Sequence, residues 1–441
     1  MVNSVRAANA GPGPGAGGGP GAGAGDGRHD ERSVDIAIIG GGMAGASLAL
    51  LLAHHCPELQ VVLLERKPLP ASGGPLVLPS FDSRATALAA GSLQMFAQLG
   101  LWSQLEAYCA PIREIHVSDR GCGLGARLDA ARESRAQFRG MFGAVVENAA
   151  LGPVLYDALA ATGVEVIAPA EVRTATFDQS GARLRWRQGA DAERSLRASL
   201  LVAADGVDSP LCRKLGIEID RVEYRQRALV TTLALQRAHG DIAYERFTDA
   251  GPMALLPLPD REGRHRAALV WTCDAADADA LLRLDSAAFT DRVQRAFGWR
   301  AGRLQRSGDV ASYPLSLSLA REQWRRNLVL VGNCAHFLHP VAGQGFNLTL
   351  RDCEALALAL AGRQERRLAQ DSTGALDLLE SYGRERQRDQ QLTIGFSDRI
   401  PPLFASGNPL IRASRQMGLL GLALVPPLRS SFLGQAAGFG L

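Results

Sequence analysis

The sequence predicts an α/β fold in which a nucleotide-binding domain built on a parallel sheet is interrupted by an inserted mixed β-sheet and followed by C-terminal helices. Three observations carry this. Residues 34–39 are apolar β-formers that run into a glycine turn and then an apolar helix, the opening of a parallel βαβ unit. Buried-strand patterns return far downstream, at 200–206 and 327–332. Between them, residues 222–316 switch to alternating strands and turns, the pattern of a separate sheet.

The first element is the most specific. In Gly40-Gly41-Gly42-Met43-Ala44-Gly45, Gly40 lets the chain leave the strand sharply, Gly42 lets backbone approach a pyrophosphate, and Gly45 lets helix and strand pack closely. Met43 and Ala44 stand in the helix's first turn, whose unpaired N–H groups point at the phosphates. A second strand at 59–64 ends in Glu65, where a carboxylate accepts hydrogen bonds from a ribose. Two other glycine patterns lack this context. Gly13, Gly15 and Gly18 have no strand before them, and Gly121, Gly123 and Ala126 precede a charged stretch. Only the first site is a Rossmann-like fingerprint with strand, helix and acid in order.

Residues 1–32 are dominated by Gly, Ala and Pro and are expected to be a disordered tail, with no apolar core of a signal peptide. Residues 33–215 form the first part of the nucleotide domain, with excursions toward the inserted sheet. They include a helix over 85–101, a helix over 149–161, a strand at 164–167 and a β-rich stretch over 171–197. Residues 216–325 are the inserted sheet, with strands at 228–236 and 266–272 and a helix near 286–297. Residues 326–370 return to the nucleotide domain through a strand and a helix over 346–361, and 371–441 are a largely helical C-terminal region.

Composition narrows the class. The chain of 441 residues has 46% hydrophobic and 21% charged residues, as in a soluble globular protein. A formal charge of +3, carried mostly by Arg, gives no argument for nucleic acid. Seven scattered cysteines read as reduced thiols, which points to a cytoplasmic location. His336 and His339 have no third ligand nearby, so no metal site is expected. The longest apolar stretch, 417–428, is too short to span a bilayer. Arg399, Arg412, Arg415 and Arg429 punctuate the apolar C-terminal segment, which suits either peripheral contact with the inner membrane or a partner protein, or packing on the core.

Two further segments fit the same task as the fingerprint. One is Asp205-Gly206-Val207-Asp208-Ser209-Pro210. The other runs Gly332-Asn333-Cys334-Ala335-His336-Phe337-Leu338-His339-Pro340-Val341-Ala342-Gly343-Gln344-Gly345-Phe346-Asn347, and on to Asp352. With Asp82-Ser83-Arg84, Glu245-Arg246-Phe247-Thr248 and Tyr313-Pro314-Leu315, they make the chain resemble the class A FAD-dependent aromatic hydroxylases of the para-hydroxybenzoate hydroxylase type. The resemblance covers residues 35 to about 400. Within that family it is similar to the ubiquinone-biosynthesis hydroxylases, and looks most like the 2-polyprenyl-6-methoxyphenol hydroxylase branch.

The resemblance implies FAD as the bound cofactor and NAD(P)H as a visiting co-substrate. It implies Arg84 near the flavin and its diphosphate, Asp205 and Gly206 near FAD and the nicotinamide, and Pro340 as a wall of the ring. Gly343, Gln344, Gly345, Phe346 and Asn347 open a helix whose N–H groups and dipole suit the pyrimidine edge of a reduced flavin. Asn333 stands where the family has Asp and keeps a carbonyl for a ribityl hydroxyl without the charge. Thr349 stands where this branch has Gly. His336 and His339 can orient a phenol or simply pack the loop.

The implied cycle is FAD reduction, reaction with O₂ to a C4a-hydroperoxide, and hydroxyl transfer to a polyprenylated phenol, giving the 1,4-benzoquinol. No side-chain nucleophile is expected. Three alternatives stay open on the residues alone: a hydroxylase acting at another ring position, a flavin-dependent lipid reductase or dehydrogenase, and a non-catalytic flavin-binding subunit of a ubiquinone-biosynthesis assembly.

Overall fold

The computed structural model describes residues 32–70, 76, 78–119, 125–133, 137–189, 192–248, 250–338, 343–365, 373–405 and 433–434. The N-terminal tail, His339, Pro340, and Arg412, Arg415 and Arg429 lie outside these residues, as does the side chain of Arg399.

The chain opens with β1 (Ser33–Ile39), α1 (Met43–His55) and β2 (Val61–Leu64), and continues through β3 (Ala85–Ala89), α2 (Ala90–Gln98) and α3 (Trp102–Leu105). Next come β4 (Cys109–Ile112), β5 (Glu114–Asp119), β6 (Gly125–Asp129), β7 (Gly143–Glu147) and α4 (Asn148–Ala160). Strands β8 (Glu165–Ile167), β9 (Glu171–Asp178), β10 (Gly181–Arg187) and β11 (Arg194–Ala203) lead to α5 (Pro210–Lys214). Then follow β12 (Ile219–Leu235), β13 (Ile242–Thr248), β14 (Gly251–Arg261), β15 (Arg264–Asp274), α6 (Ala275–Leu282) and α7 (Ser286–Phe297). The last strands are β16 (Leu304–Arg306), β17 (Ala311–Ala320), β18 (Trp324–Arg325), β19 (Leu328–Leu330) and β20 (His336–Phe337), before α8 (Gln344–Glu365) and α9 (Leu376–Ala405).

Among the described residues these strands form three sheets. The first has the order β18-β19-β11-β1-β2-β8, parallel from β19 to β8, with β10 and β9 added antiparallel along the first half of β11. Its central strands are buried on both faces, as their unbroken apolar runs require. Leu48, Leu51 and Leu52 of α1 seal one face together with Leu350, Leu356 and Leu360 of α8. The second sheet has the order β20-β17-β12-β15-β14-β13-β5-β6. One of its faces is covered by α6 and α7, through Ala278, Leu281, Phe289, Val293 and Phe297. The third, β3-β7-β4, packs through Ile112, Phe142 and Val145 on the second sheet's other face, against Ala243, Leu258 and Ala268.

One expectation needs correcting. Residues 85–89 are not the start of a helix but a strand, paired antiparallel with β7 from Ala85↔Glu147 to Ala89↔Gly143. Alanine favours helix locally, so the pairing with β7 decides the conformation. Helix α6 was also not anticipated, whereas the helix expected near 286–297 forms over Ser286–Phe297, with the Asp285 side chain accepting from the Ala288 N–H.

Phe289 is fully buried between α7 and the outer face of the second sheet. Phe289→Ala should therefore lower unfolding stability by about 3–5 kcal/mol in a urea titration. An unchanged midpoint would mean that α7 does not seal this face.

Candidate functional site

The three sequence-distant segments meet. At the end of β1, Gly40 has φ +106°, and a Cβ there would lie 2.6 Å from the Ala204 carbonyl oxygen, which follows β11. A Cβ at Gly45 would lie 1.9 Å from the Gly40 carbonyl oxygen, so helix α1 can approach the turn only with glycine at this position. A Cβ at Gly332 would lie 2.8 Å from the Ala44 methyl, which brings the third segment onto the first turn of α1.

Helix α1 begins at Gly42 with no side-chain cap and no acidic residue in its first turn. The N–H groups opened at Met43, Ala44 and Gly45 are free to bind an anion there. Glu65 is buried and braces the turn: its Oε2 accepts from the Gly41 N–H at 2.7 Å and its Oε1 from the Lys67 N–H at 2.7 Å. Tyr156 on α4 donates its hydroxyl to the Gly41 carbonyl at 2.7 Å. Burial, and then the Glu65 charge, push the Tyr156 phenol up and keep it neutral. Nothing local in the sequence marks Tyr156, because its partner is 115 residues away.

Asp205 and Gly206 follow β11. The Gly206 N–H donates to Cys334 Sγ at 3.1 Å, and the Cys334 thiol lies 3.3 Å from Asp205 Oδ1 and 3.2 Å from the Gly206 carbonyl. Cys334 thus ties the second segment to the third, a role that a scattered cysteine does not announce. Burial pushes its thiol well above the usual range, so it stays protonated and able to donate. Asn333, next to it, is exposed and makes no side-chain hydrogen bond to the described residues.

Asn347 fixes the start of α8. Its Oδ1 accepts from the Ala89 N–H and the Ser92 hydroxyl, both at 2.8 Å, while its Nδ2 donates to the carbonyls of Ala87 and Gly343, also at 2.8 Å. Gln344 is buried and Phe346 packs against the core under the first sheet. The Thr349 hydroxyl donates to the Gly345 carbonyl at 3.1 Å, and its methyl faces Gly332, so the helix absorbs this side chain without an unpaired polar group. Arg84 pairs with Asp82 at 2.7 Å, and its guanidinium lies 4.8 Å from the centre of the Tyr313 ring on β17.

His336 is buried and takes the packing role. Its Nε2 lies 2.6 Å from Asp352 Oδ2, Arg386 Nε donates to Asp352 Oδ1 at 2.6 Å, and Gln390 donates to Oδ2 at 3.1 Å. Asp389 extends the network to Arg351, 2.7 Å away. Burial alone would raise the Asp352 carboxyl, but His336 and Arg386 outweigh it and hold the group below the usual range. The third segment is thereby clamped to α8 and α9.

These residues fit a flavin dinucleotide. A Cβ at Gly345 would meet nothing within 4 Å, so packing does not demand glycine there, whereas Gly206 is required by its φ of +100°; both leave backbone open to a ligand. One uncapped helix start for a pyrophosphate and two further open glycine edges define a dinucleotide-binding protein with room for a flavin.

The chain belongs to the FAD-binding-domain family, which matches residues 33–397. Its cofactor is FAD. It is 32% identical to the ubiquinone hydroxylase UbiL of Rhodospirillum rubrum, over 92% of this chain and 90% of that protein. It is 30% identical to the 3-demethoxyubiquinol 3-hydroxylase of Escherichia coli, over 88% and 96%. Among solved structures it shares its fold with the p-nitrophenol 4-monooxygenase PnpA of Pseudomonas putida, with a TM-score of 0.70 at 18% identity, over 93% of this chain and 100% of that one.

Asp352→Asn removes one of the two carboxylates that hold Arg386, with Asp389 remaining, and should cost about 1–3 kcal/mol. The pH dependence has a definite sign. Because the Asp352 pKa is depressed on folding, its stabilisation is complete above the ordinary value of 3.8 and disappears as pH falls through the folded value. Unfolding titrations across acid pH should show that the wild type loses this component and that Asp352→Asn never had it. Equal stability of the two proteins at neutral pH would refute the clamp.

Proposed function

We propose that this protein hydroxylates the aromatic ring of a polyprenylated phenol in ubiquinone biosynthesis, using NAD(P)H and O₂. The protein is an FAD-dependent aromatic hydroxylase. The similarity over nine-tenths of the chain to a ubiquinone hydroxylase carries the pathway assignment. Bound FAD supplies electron transfer from NAD(P)H and the activation of O₂.

The remaining work belongs to the chain. In this reading the N–H groups of Met43, Ala44 and Gly45 hold the pyrophosphate, and Glu65 has acceptor capacity left for the adenosine ribose. Arg84, Asp205, Gly206 and the carbonyl of Asn333 line the path of the ribityl and phosphate groups. The Gly343–Gly345 backbone and the start of α8 stabilise negative charge on the reduced ring, with Gln344, Phe346 and Asn347 setting that edge. The resemblance gives the ring wall to Pro340, which lies outside the described residues. The second sheet covers the ring and excludes water, which keeps reduced equivalents for the phenol.

For the ring position, 2-polyprenyl-6-methoxyphenol is the substrate we assign, with the 1,4-benzoquinol as product. A second reading, hydroxylation of a demethoxyubiquinol, is favoured by the 30% identity to the Escherichia coli 3-hydroxylase. Among the described residues no helix is long and apolar enough to cross a membrane, so the insoluble substrate calls for peripheral contact with the bilayer or a partner assembly.

The test is to purify the protein, record its visible spectrum and follow NAD(P)H oxidation under air with short-chain versions of both phenols. Flavin absorbance and oxidation stimulated by the methoxyphenol, with one added oxygen in the product, is the expected result. Stimulation by the demethoxyubiquinol alone would replace the ring position, and bound flavin with neither would remove the pathway assignment.

A further inference from the structure

The inner face of the second sheet carries a carboxyl that the site described so far does not use. Glu245 lies on β13 opposite Ala254 of β14 and Val117 of β5. Its neighbours Tyr244 and Arg246 point the other way, toward α7. Tyr244 stacks edge-on to Phe297 at 5.4 Å, and Arg246 Nε donates to the Ala296 carbonyl at 3.0 Å. Strand alternation therefore turns Glu245 to the opposite face, with Ala243 and Phe247.

That face packs on the sheet that contains β3, and β3 touches the glycine loop. Ala243 is buried in the cluster that Ala87 packs against, and Ala87 is the residue whose carbonyl accepts from Asn347 and whose methyl would touch a Cβ on Gly343. The same face presents Ala228, Ala254, Val270 and Tyr313, the last beneath the Arg84 guanidinium. Glu245 keeps partial exposure on this face. Its carboxyl has no hydrogen-bond or ion-pair partner among the described residues. An unpaired carboxyl on an apolar wall is costly unless a ligand uses it.

We infer that Glu245 is the base that takes the phenol proton of the aromatic substrate. The proposal rests on the hydroxylase reading given above. In the step, the phenol O–H bond breaks, a new O–H bond forms on a Glu245 carboxylate oxygen, and the electron pair stays on the phenolate oxygen, enriching the ring for attack. Burial pushes the Glu245 carboxyl up to about 7, which matches the pKa of a general base working near neutral pH. The charged and titratable groups on the surrounding elements are otherwise engaged or distant from that wall. Asp119, two residues beyond Val117 on β5, is buried on the same face and has a partner of its own, Glu147 of β7 pairs with Arg266 of β15 at 2.7 Å, Asp82 pairs with Arg84, and Asp398 of α9 accepts from Tyr224 of β12 at 2.5 Å.

The experiment uses the FAD-loaded protein and 2-prenyl-4-nitrophenol, whose absorbance reports ionisation of its hydroxyl. When two acids share a site, their protons leave in two coupled steps. The bound probe should ionise in two steps in the wild type and in a single step in Glu245→Gln, with the flavin spectrum unchanged. Turnover of the short-chain phenol should show kcat/KM rising through pH 7 in the wild type and, in Glu245→Gln, no such inflection and a loss of about 10²–10⁴-fold. Glu245→Asp should keep the two-step titration at reduced kcat, which holds the test if the Gln variant does not fold. Superimposable titrations of wild type and Glu245→Gln would overturn the assignment of the base while leaving the hydroxylase reading intact. Failure of the wild type to bind or turn over any phenol would overturn both.

Discussion

Close approach of backbone to backbone is the constraint on which the rest of this structure depends. Where β1 turns into α1, the Gly40 carbonyl leaves 1.9 Å for a Cβ at Gly45, and Gly332 leaves 2.8 Å between its own missing Cβ and Ala44. No side chain fits in those gaps. The three segments can converge only because glycine occupies each contact, and the space won is what opens helix N–H groups toward a dinucleotide. Once the backbones are that close, polar groups must be satisfied locally. Glu65 and Tyr156 do this for the first turn, Cys334 for the second segment, and Asn347 for the start of α8.

A second layer holds the third segment in place from behind. His336, Asp352, Arg386 and Asp389 form a buried network of hydrogen bonds and ion pairs between the loop, α8 and α9. Such networks add little net stability compared with an apolar core, but they penalise displacement of any one member severely. Here that means a glycine edge held against Ala87 of β3. The proposed chemistry divides between two layers, one holding FAD and one carrying Glu245 on the wall of the second sheet.

Much of this was legible in the sequence, for physical reasons that differ by element. The glycine turn, Glu65 and the 286–297 helix are encoded within short windows, through spacing, an Asp cap and apolar periodicity. Residues 85–89 were not legible, since alanines carry no strand signal and β7 supplies the pairing. Strand β12 extends to Ile219 through Asp220, Arg221 and Glu223, whose charges are tolerated because those positions are exposed. Tyr156, Cys334 and the His336–Asp352 pair act across folded distance, so no local pattern marks them. Asn333 and Thr349 depart from the family's residues, yet one is exposed and the other bonds its own helix, so neither disturbs the glycine contacts. Glu245 was visible only as part of a matching motif, and its isolation on an apolar wall emerges from sheet register.

The proposed FAD site joins three distant segments of the chain. A crystal structure of the flavin-loaded protein tests it most directly. The pyrophosphate should sit within hydrogen-bond distance of the N–H groups at the start of α1, with Gly206 and the Gly343–Gly345 backbone against the same flavin molecule. A flavin bound elsewhere, or one touching the α1 turn without the other two segments, would contradict it.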